Sequence, residues 1–215
     1  QSDLFHNKLM RALPTLIRMT ERGIRVDQNR LEKWSADLHL NQRVLLGRWA
    51  EVAPEINPMS PRQVAQYFDR AGLGPVVGGY DTRARTKHEK TSSLTEDVLI
   101  GMAEVHPDFR DEIGLLLEIR KNRKLLGTYA TIDLGGDGRV HPNYLPAGKE
   151  SDGGAAATGR LASSHPNIQN QPQEARALFV PSQPSMALVE CDYSQIELRI
   201  AAALSQDPAL LEALK

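Results

Sequence analysis

A long run of apolar residues at helical spacing constrains the fold of this chain more than any other feature of its sequence. Leu31, Leu38 and Leu45 belong to this run, which ends near Pro54. Side chains at such intervals lie along one stripe of a helix, and a second element is needed to cover that stripe. The run therefore predicts a long helix that starts after Asp27 and forms one arm of an antiparallel helical pair.

Short start and stop signals predict further helices on either side of this long one. Gly23 can end an amphipathic helix near the amino terminus. Ser60 and Gln63 fit a capping box with proline at the first helical position, and a similar box begins at Ser93. Residues 74–90 are rich in glycine and basic side chains, so we expect a loop without packed elements there.

Composition limits the setting of the chain but does not identify its function. With 215 residues, of which 40% are hydrophobic, the chain can bury a core as one large domain or two small ones. The net charge is only -1, so any binding of nucleic acid depends on local clusters of basic residues. Cys191 is the single cysteine and excludes an internal disulfide. Because no leader or long apolar run is present, we expect a soluble cytoplasmic protein.

An acidic residue stands where the apolar period changes from that of a strand to that of a helix. The residues from Ala187 to Val189 predict a short buried strand, whereas Ile196 and Ile200 recur at helical spacing. Asp192 lies between these elements, at an end that cations and substrates can reach. Taken alone, an aspartate at the end of a strand more often caps the following helix than binds a metal.

Three motifs occur in a fixed order in the last third of the chain. They are TGRLASS at 158–164, PNIQN at 166–170 and DYSQIELR at 192–199. In order and spacing they resemble motifs of the family A DNA polymerases, the bacterial DNA polymerase I type, in which the last of them is the first catalytic motif. Farther back, residues 21–27 resemble the beginning of the polymerase region, and Lys124 with Thr128-Tyr129 resembles the thumb.

The resemblance implies an α+β fold that is predominantly helical. A helical thumb would occupy residues 1–134, and residues 135–215 would form the first part of a palm with the start of an antiparallel sheet. Glycine-rich turns replace the helical period from Gly135 to Gly159, which supports a boundary in that region.

The resemblance also implies a two-metal site for phosphoryl transfer. Asp192 would be catalytic and bind both Mg²⁺ ions, and the backbone carbonyl of Tyr193 would supply a further ligand. Gln195 and Glu197 would contact the incoming deoxynucleoside triphosphate, with Glu197 beneath the sugar, where it excludes a 2′-hydroxyl. Ser194 to Glu197 also fits a capping box, and the two roles of Glu197 are compatible.

Contacts with a primer–template duplex are implied as well. Arg160 would reach the minor groove at the primer end, where base pairs present nearly the same acceptors. Polar contacts with the duplex are implied for Asn167, Gln169 and Asn170, and phosphate contacts for Ser92, Ser93, Arg120 and Lys124. By themselves these features have simpler explanations, because amide side chains often form turns and a run of charges is usually a solvated face.

The sequence matches only part of what the family requires for catalysis. In the family, a fingers helix and a hairpin with the second metal-binding aspartate follow the first catalytic motif, and neither occurs in this sequence. We therefore expect a polymerase fragment that is inactive until the missing fingers and palm portion is supplied in the same or another chain. The alternative is a DNA-binding module that retains the thumb and lacks the chemistry. A hydrolase that uses Asp192 ranks third, because no nucleophile–base pair is evident.

Overall fold

The computed structural model describes residues 10–73, 76–77, 80–81, 94–146 and 160–214. The chain divides into two compact units, Gln1–Phe179 and Val180–Lys215. Helices predominate over short antiparallel strands, so the predicted α+β class is confirmed. No helix in the described ranges is both long enough and apolar enough to cross a membrane.

Eight α-helices and six strands occur in the described part of the chain. The helices are α1 Met10–Arg22, α2 Gln28–Val52, α3 Pro61–Arg70, α4 Glu96–Val105, α5 Arg110–Lys124, α6 Gln173–Arg176, α7 Ile196–Ser205 and α8 Pro208–Ala213. The strands are β1 Ile24–Arg25, β2 Val76–Val77, β3 Tyr80–Asp81, β4 Arg139–Val140, β5 Asn143–Leu145 and β6 Ala162–Ser164. A 3₁₀ turn, Pro107–Phe109, leads into α5, and a π turn, Leu125–Tyr129, continues it.

The boundary between α1 and α2 lies where the sequence predicts it. The first helix ends at Gly23, which has a φ of +60° and at which a Cβ would lie 2.7 Å from the carbonyl oxygen of Val140. Glycine therefore suits both the left-handed backbone and the close approach of β4. Asp27 caps α2 by accepting a hydrogen bond from the N–H of Arg30 at 3.1 Å.

The two capping boxes predicted for α3 and α4 have different outcomes. Ser60 caps α3 and accepts a hydrogen bond from the N–H of Gln63 at 3.4 Å, as predicted. The side chain of Gln63 accepts from the N–H of Asn57 at 2.7 Å and so extends the cap into the preceding turn. The prediction of a capping box beginning at Ser93 is wrong. The N-cap of α4 is Thr95, and the side chain of Thr95 makes no capping bond. Acidic side chains in the first turn of α4 complement the helix dipole instead.

The segment 74–90, predicted to be a loop, contains the strands β2 and β3. They pair antiparallel, with Val76 opposite Asp81. The loop prediction is therefore wrong for these residues, since valine and tyrosine favour extended backbone even between glycines. The basic residues of this segment from 82 to 90, and the predicted phosphate contacts Ser92 and Ser93, lie outside the described residues.

Helices α2 and α5 pack side by side in opposite directions and share two hydrophobic cores. The first, called here the distal core, contains Leu45, near the end of α2, and Leu116, in the first half of α5. The second, called here the basal core, contains Leu31, near the start of α2, and Leu125, just beyond the end of α5. The antiparallel helical pair predicted from the long apolar run is therefore present.

A buried amide lies between the distal and basal cores. Asn122 on α5 is 4% exposed. Its Nδ2 donates to the carbonyl oxygen of Leu38 at 3.0 Å and to Oε1 of Gln42 at 2.7 Å, and its Oδ1 accepts from Asn41 at 3.0 Å. Because a buried amide needs such partners, α2 and α5 are joined by hydrogen bonds as well as by apolar contact.

The strands join parts of the chain that are distant in sequence. In β1 and β4, Ile24 lies opposite Val140, and in β5 and β6, Tyr144 lies opposite Ser163. Val140 also belongs to the basal core, so residues on both sides of position 134 contribute to one compact unit. The functional division into thumb and palm at 134 stays a prediction, because packing does not test it.

The unit Val180–Lys215 consists of irregular chain followed by α7 and α8. Asp207 caps α8, and Ala202 is the only buried residue among those described in this unit. The buried strand predicted from Ala187 to Val189 is wrong, because these residues are exposed and form no strand. A strand requires a hydrogen-bonded neighbour, and none of the described segments pairs with this one.

Candidate catalytic and DNA-binding residues

Asp192 lies in exposed irregular chain just before α7, and Tyr193 beside it is 79% exposed. The N-cap of α7 is Gln195, which has a left-handed backbone with φ 51° and makes no side-chain capping bond. The capping box predicted from Ser194 to Glu197 is therefore wrong, because the left-handed residue moves the start of the helix past Ser194. Glu197 is exposed in the first turn of α7, where its charge complements the helix dipole.

Arg199 stabilises the turn that precedes α7. Its Nε donates to the carbonyl oxygen of Ser194 at 2.8 Å, and its Nη1 donates to that of Leu214 at 2.8 Å. One guanidinium thus connects the approach to α7 with the end of α8. No sequence motif predicts this role for Arg199, although its place five residues after Ser194, within the DYSQIELR motif, is a signal for it.

The amide side chains of the PNIQN motif project from a hydrogen-bonded loop after β6. Asn167, Gln169 and Asn170 are exposed, as is Arg160 just before the strand. Asn167 Oδ1 accepts from the N–H of Gln169 at 3.0 Å, which is the turn-forming role typical of asparagine. Gln169 Nε2 donates to the carbonyl oxygen of Leu161 at 2.8 Å. The loop therefore presents these side chains from a fixed backbone.

The basic side chains of α5 are not equivalent. Arg120 donates to the carbonyl oxygen of Leu94 at 2.6 Å, and burial lowers the pKa of its guanidinium below the ordinary value. This bond connects α5 with the segment before α4, so Arg120 contributes to the structure. Lys121 forms an ion pair with Glu174 at 3.4 Å. Lys124, in the last turn of α5, is exposed and presents its charge to solvent.

His141 connects β4 with the end of α1. Its Nδ1 lies 2.8 Å from the carbonyl oxygen of Thr20, and its Nε2 lies 3.3 Å from the carboxylate of Asp137. The hydrogen bond to Thr20, and then that to Asp137, raise the pKa of His141 above its ordinary value. This direction follows because only the protonated ring can donate from both nitrogens. With His165, His141 also lines a cleft of about 490 Å³.

The candidate residues fall into two groups. Those in the unit Val180–Lys215 are Asp192, Tyr193, Gln195 and Glu197. Those in the unit Gln1–Phe179 that are described are Arg120, Lys124, Arg160, Asn167, Gln169 and Asn170. No group of three or more acidic, histidine or cysteine side chains in the described ranges is arranged to hold a metal. Metal binding by Asp192 and Tyr193, and DNA binding by the other group, stay predictions.

The architecture is that of a polymerase domain. The chain matches the solved POL domain of Pol1 from M. smegmatis, a complex with DNA primer-template and dNTP, with a TM-score of 0.74 and 28% identity over 98% of this chain and 36% of that one. The model of DNA polymerase family A matches residues 28–215. The chain therefore belongs to DNA polymerase family A.

Curated relatives agree with this membership. DNA polymerase I of Caldicellulosiruptor bescii is 31% identical over 99% of this chain and 24% of its own length. DNA polymerase I of Bacillus subtilis is 32% identical over 99% of this chain and 23% of its own length, and that of Synechocystis is 36% identical over 92% and 19%. The chain thus spans less than a quarter of the length of these relatives.

Proposed function

We propose that this chain is part of a template-directed DNA polymerase that adds deoxynucleotides to the 3′ end of a primer. The observation that carries the proposal is the exposed Asp192 just before α7, within the residues that match family A. The structural neighbour from M. smegmatis is a complex with a DNA primer-template and a dNTP, which supports the same classes of substrate for this chain. The proposed place of action is the cytoplasm, where a bacterial or phage polymerase meets DNA.

The donor atoms at the approach to α7 suit Mg²⁺. Asp192 offers an exposed carboxylate and Tyr193 a backbone carbonyl, and Mg²⁺ prefers such oxygen ligands. Since no complete set of metal-binding side chains occurs in the described ranges, the further ligands would belong to the fingers and palm portion of a complete polymerase. Two bound Mg²⁺ ions would lower the pKa of the attacking 3′-hydroxyl and stabilise charge around phosphorus.

The unit Gln1–Phe179 would hold the primer–template. Lys124 presents an exposed positive charge that suits a phosphate oxygen. Asn167, Gln169 and Asn170 present amides that can donate to or accept from base edges and sugars. Arg160 adds a planar guanidinium for acceptors in the minor groove. Arg120 contributes mainly through its bond to Leu94, and its predicted phosphate contact remains part of the proposal.

Glu197 would select the sugar of the incoming nucleotide. It follows Asp192 by five residues and lies exposed in the first turn of α7, next to the N-cap Gln195. A carboxylate stem under the deoxyribose would collide with a 2′-hydroxyl or leave it without a partner. Deoxyribonucleotides would therefore react in preference to ribonucleotides.

A DNA-binding module without chemistry is the second candidate. The observation that favours it is that, in the described ranges, Asp192 belongs to no group of three or more acidic, histidine or cysteine side chains that could hold a metal. The two candidates agree on DNA binding and differ on primer extension. A complete polymerase assembled around this chain separates them.

Primer extension with Mg²⁺ tests the proposal. The chain is assayed alone and then mixed with the carboxyl-terminal polymerase portion of Bacillus subtilis DNA polymerase I. We expect no extension by the chain alone and measurable extension by the mixture. Asp192→Asn should reduce that extension at least about a thousandfold, because the carboxylate that binds the metal is lost.

Asp69→Asn is the matched control for this experiment. Asp69 is exposed on α3, so its substitution removes one carboxylate without touching the proposed site. Extension should be unchanged in this variant. Robust extension by the chain alone would contradict the fragment hypothesis, and DNA binding without extension in either form would favour the module without chemistry.

A further inference from the structure

One buried phenol connects the PNIQN loop with the helical pair. Tyr129 is the last residue of the π turn that continues α5, and it is 9% exposed within the basal core. Its hydroxyl donates to the main-chain carbonyl oxygen of Asn170 at 3.0 Å. A π turn is widened by one residue, and here the N–H of Ala130 bonds to the carbonyl oxygen of Leu125 at 2.9 Å. The ring of Tyr129 therefore lies in the basal core while its hydroxyl reaches the PNIQN loop.

The bond from Tyr129 joins residues much farther apart in sequence than the other hydrogen bonds of this loop do. Ser163 Oγ accepts from the N–H of Ile168, five residues away, at 3.1 Å, and Gln171 Nε2 donates to the carbonyl oxygen of Asn167, four residues away, at 2.7 Å. These bonds shape the loop from within. Tyr129 lies 41 residues before Asn170, so its bond fixes the loop relative to α5.

The acceptor of this bond is the backbone of Asn170, which leaves the side chain available. The amide of Asn170 is exposed and has no hydrogen-bond partner in the described part of the chain. Fixing a backbone carbonyl while leaving the adjacent side chain unpartnered is how a protein orders a binding group before its ligand arrives. Loss of the hydroxyl should release the loop without removing any group that meets DNA.

We propose that Tyr129 is a positioning residue for DNA binding, which it supports by holding Asn170 in place on the loop after β6. The inference rests on the proposed function, since it concerns the same duplex. It assigns to Tyr129 no contact with DNA. The effect of its hydroxyl on affinity therefore depends on the presence of the Asn170 side chain.

A double-mutant cycle with the 215-residue chain tests this dependence. Binding to a fluorescent primer–template duplex is measured by anisotropy for the unchanged chain, Tyr129→Phe, Asn170→Ala and the double variant. We expect Tyr129→Phe to weaken binding about three- to tenfold, the effect of one neutral hydrogen bond. In the Asn170→Ala background the same substitution should weaken binding less than about twofold.

Two further measurements separate positioning from general destabilisation. The slope of log K against log salt should be the same for Tyr129→Phe and the unchanged chain, because no phosphate contact is lost. Tyr144→Phe is the control, since Tyr144 is half-buried on β5 and its hydroxyl has no hydrogen-bond partner among the described residues. This control should bind DNA with unchanged affinity.

The results of these measurements are distinguishable. If the unchanged chain binds and Tyr129→Phe binds equally well, or loses equal affinity in both backgrounds, the positioning role is wrong and the proposed function stands. An equal loss in Tyr144→Phe would also overturn it. If the unchanged chain binds no duplex at low salt, the proposed function fails and this inference fails with it.

Discussion

The units Gln1–Phe179 and Val180–Lys215 differ in how they bury apolar side chains. In the first, Trp49, Phe68 and Leu116 are at most 2% exposed. In the second, Val189 and Leu204 are each 82% exposed. Removing apolar area from water stabilises a fold by about 25 cal/mol per Å². The first unit therefore contains its own source of stability, whereas the second contains little.

This difference coincides with a difference in proposed role. The residues proposed to hold DNA lie on the well-packed unit, where a core and a hydrogen-bonded loop fix their positions. The residues proposed to carry the chemistry lie on the sparsely packed unit, next to exposed chain. Packed surroundings order a binding group in advance, whereas a sparsely packed segment opens at low cost. Binding and chemistry should consequently respond to different substitutions.

The largest expected effect tests the difference in burial directly. Phe68→Ala should lower the free energy of unfolding by about 3–5 kcal/mol, because it empties part of the distal core. Leu204→Ala should change it by less than about 0.5 kcal/mol, because that side chain is already exposed. Urea denaturation of both variants gives the two values. A comparable loss in Leu204→Ala would show that the second unit is covered in solution.

Sugar selection tests the chemical role of the sparsely packed unit. In the completed polymerase, Glu197→Ala should raise ribonucleotide use relative to deoxyribonucleotide use about a hundredfold, which corresponds to a penalty of about 2.7 kcal/mol. The ratio of the two kcat/KM values is the measurement. Glu212→Ala on α8 is the control and should leave the ratio unchanged. An unaltered ratio in Glu197→Ala would remove Glu197 from the nucleotide site.

Salt dependence tests the DNA-holding role of the well-packed unit. Lys124→Ala should reduce the slope of log K against log salt by about one unit, because one phosphate contact is lost. The substitution should leave the melting temperature unchanged, since Lys124 is exposed. Lys33→Ala, on the exposed face of α2, controls for the loss of one charge. Equal slopes in the two variants would contradict a specific contact at Lys124.

The smallest expected effect concerns pH and the attachment of α1. Because its bond to Thr20 and then that to Asp137 raise the pKa of His141, folding favours the protonated ring. This contribution is fully present below the ordinary histidine pKa, about 6.5, and is lost as pH rises through the folded pKa. Arg139, which also faces His141, opposes the shift. Stability against urea should therefore decline as pH rises from about 6.5 through the folded pKa.

Two variants identify the group that causes this decline. His141→Ala should remove the pH-dependent part of the stability. His39→Ala, which changes an exposed residue of α2, should retain it. If both variants keep the same pH profile, the bond between His141 and Thr20 does not contribute to stability in solution.

Local features of the sequence predicted the fold well. Gly23, Asp27 and Ser60 mark helix ends because each acts on backbone within a few residues of itself. The strand predicted from Ala187 to Val189 did not form, because a strand depends on a neighbour that its own sequence does not specify.

The sequence also predicted which segment holds the candidate site, whereas the roles of its residues stay predictions. The family motifs identified the segment around Asp192, and the family is confirmed. The capping box at Ser194 failed because the left-handed backbone of Gln195 is unusual for a residue with a side chain. The bond between Tyr129 and Asn170 joins residues 41 positions apart, so no local sequence pattern predicts it.

The amide of Asn122 fixes how α2 and α5 are aligned along their axes. If α5 moved along α2 by one helical turn, about 5.4 Å, Leu38 and Gln42 would no longer reach this amide. A buried amide without partners costs about 1–3 kcal/mol, whereas leucines tolerate a shifted alignment far better. One side chain thus selects a single axial alignment of α2 and α5. The distance along the helical pair from the distal core to the basal core is consequently fixed.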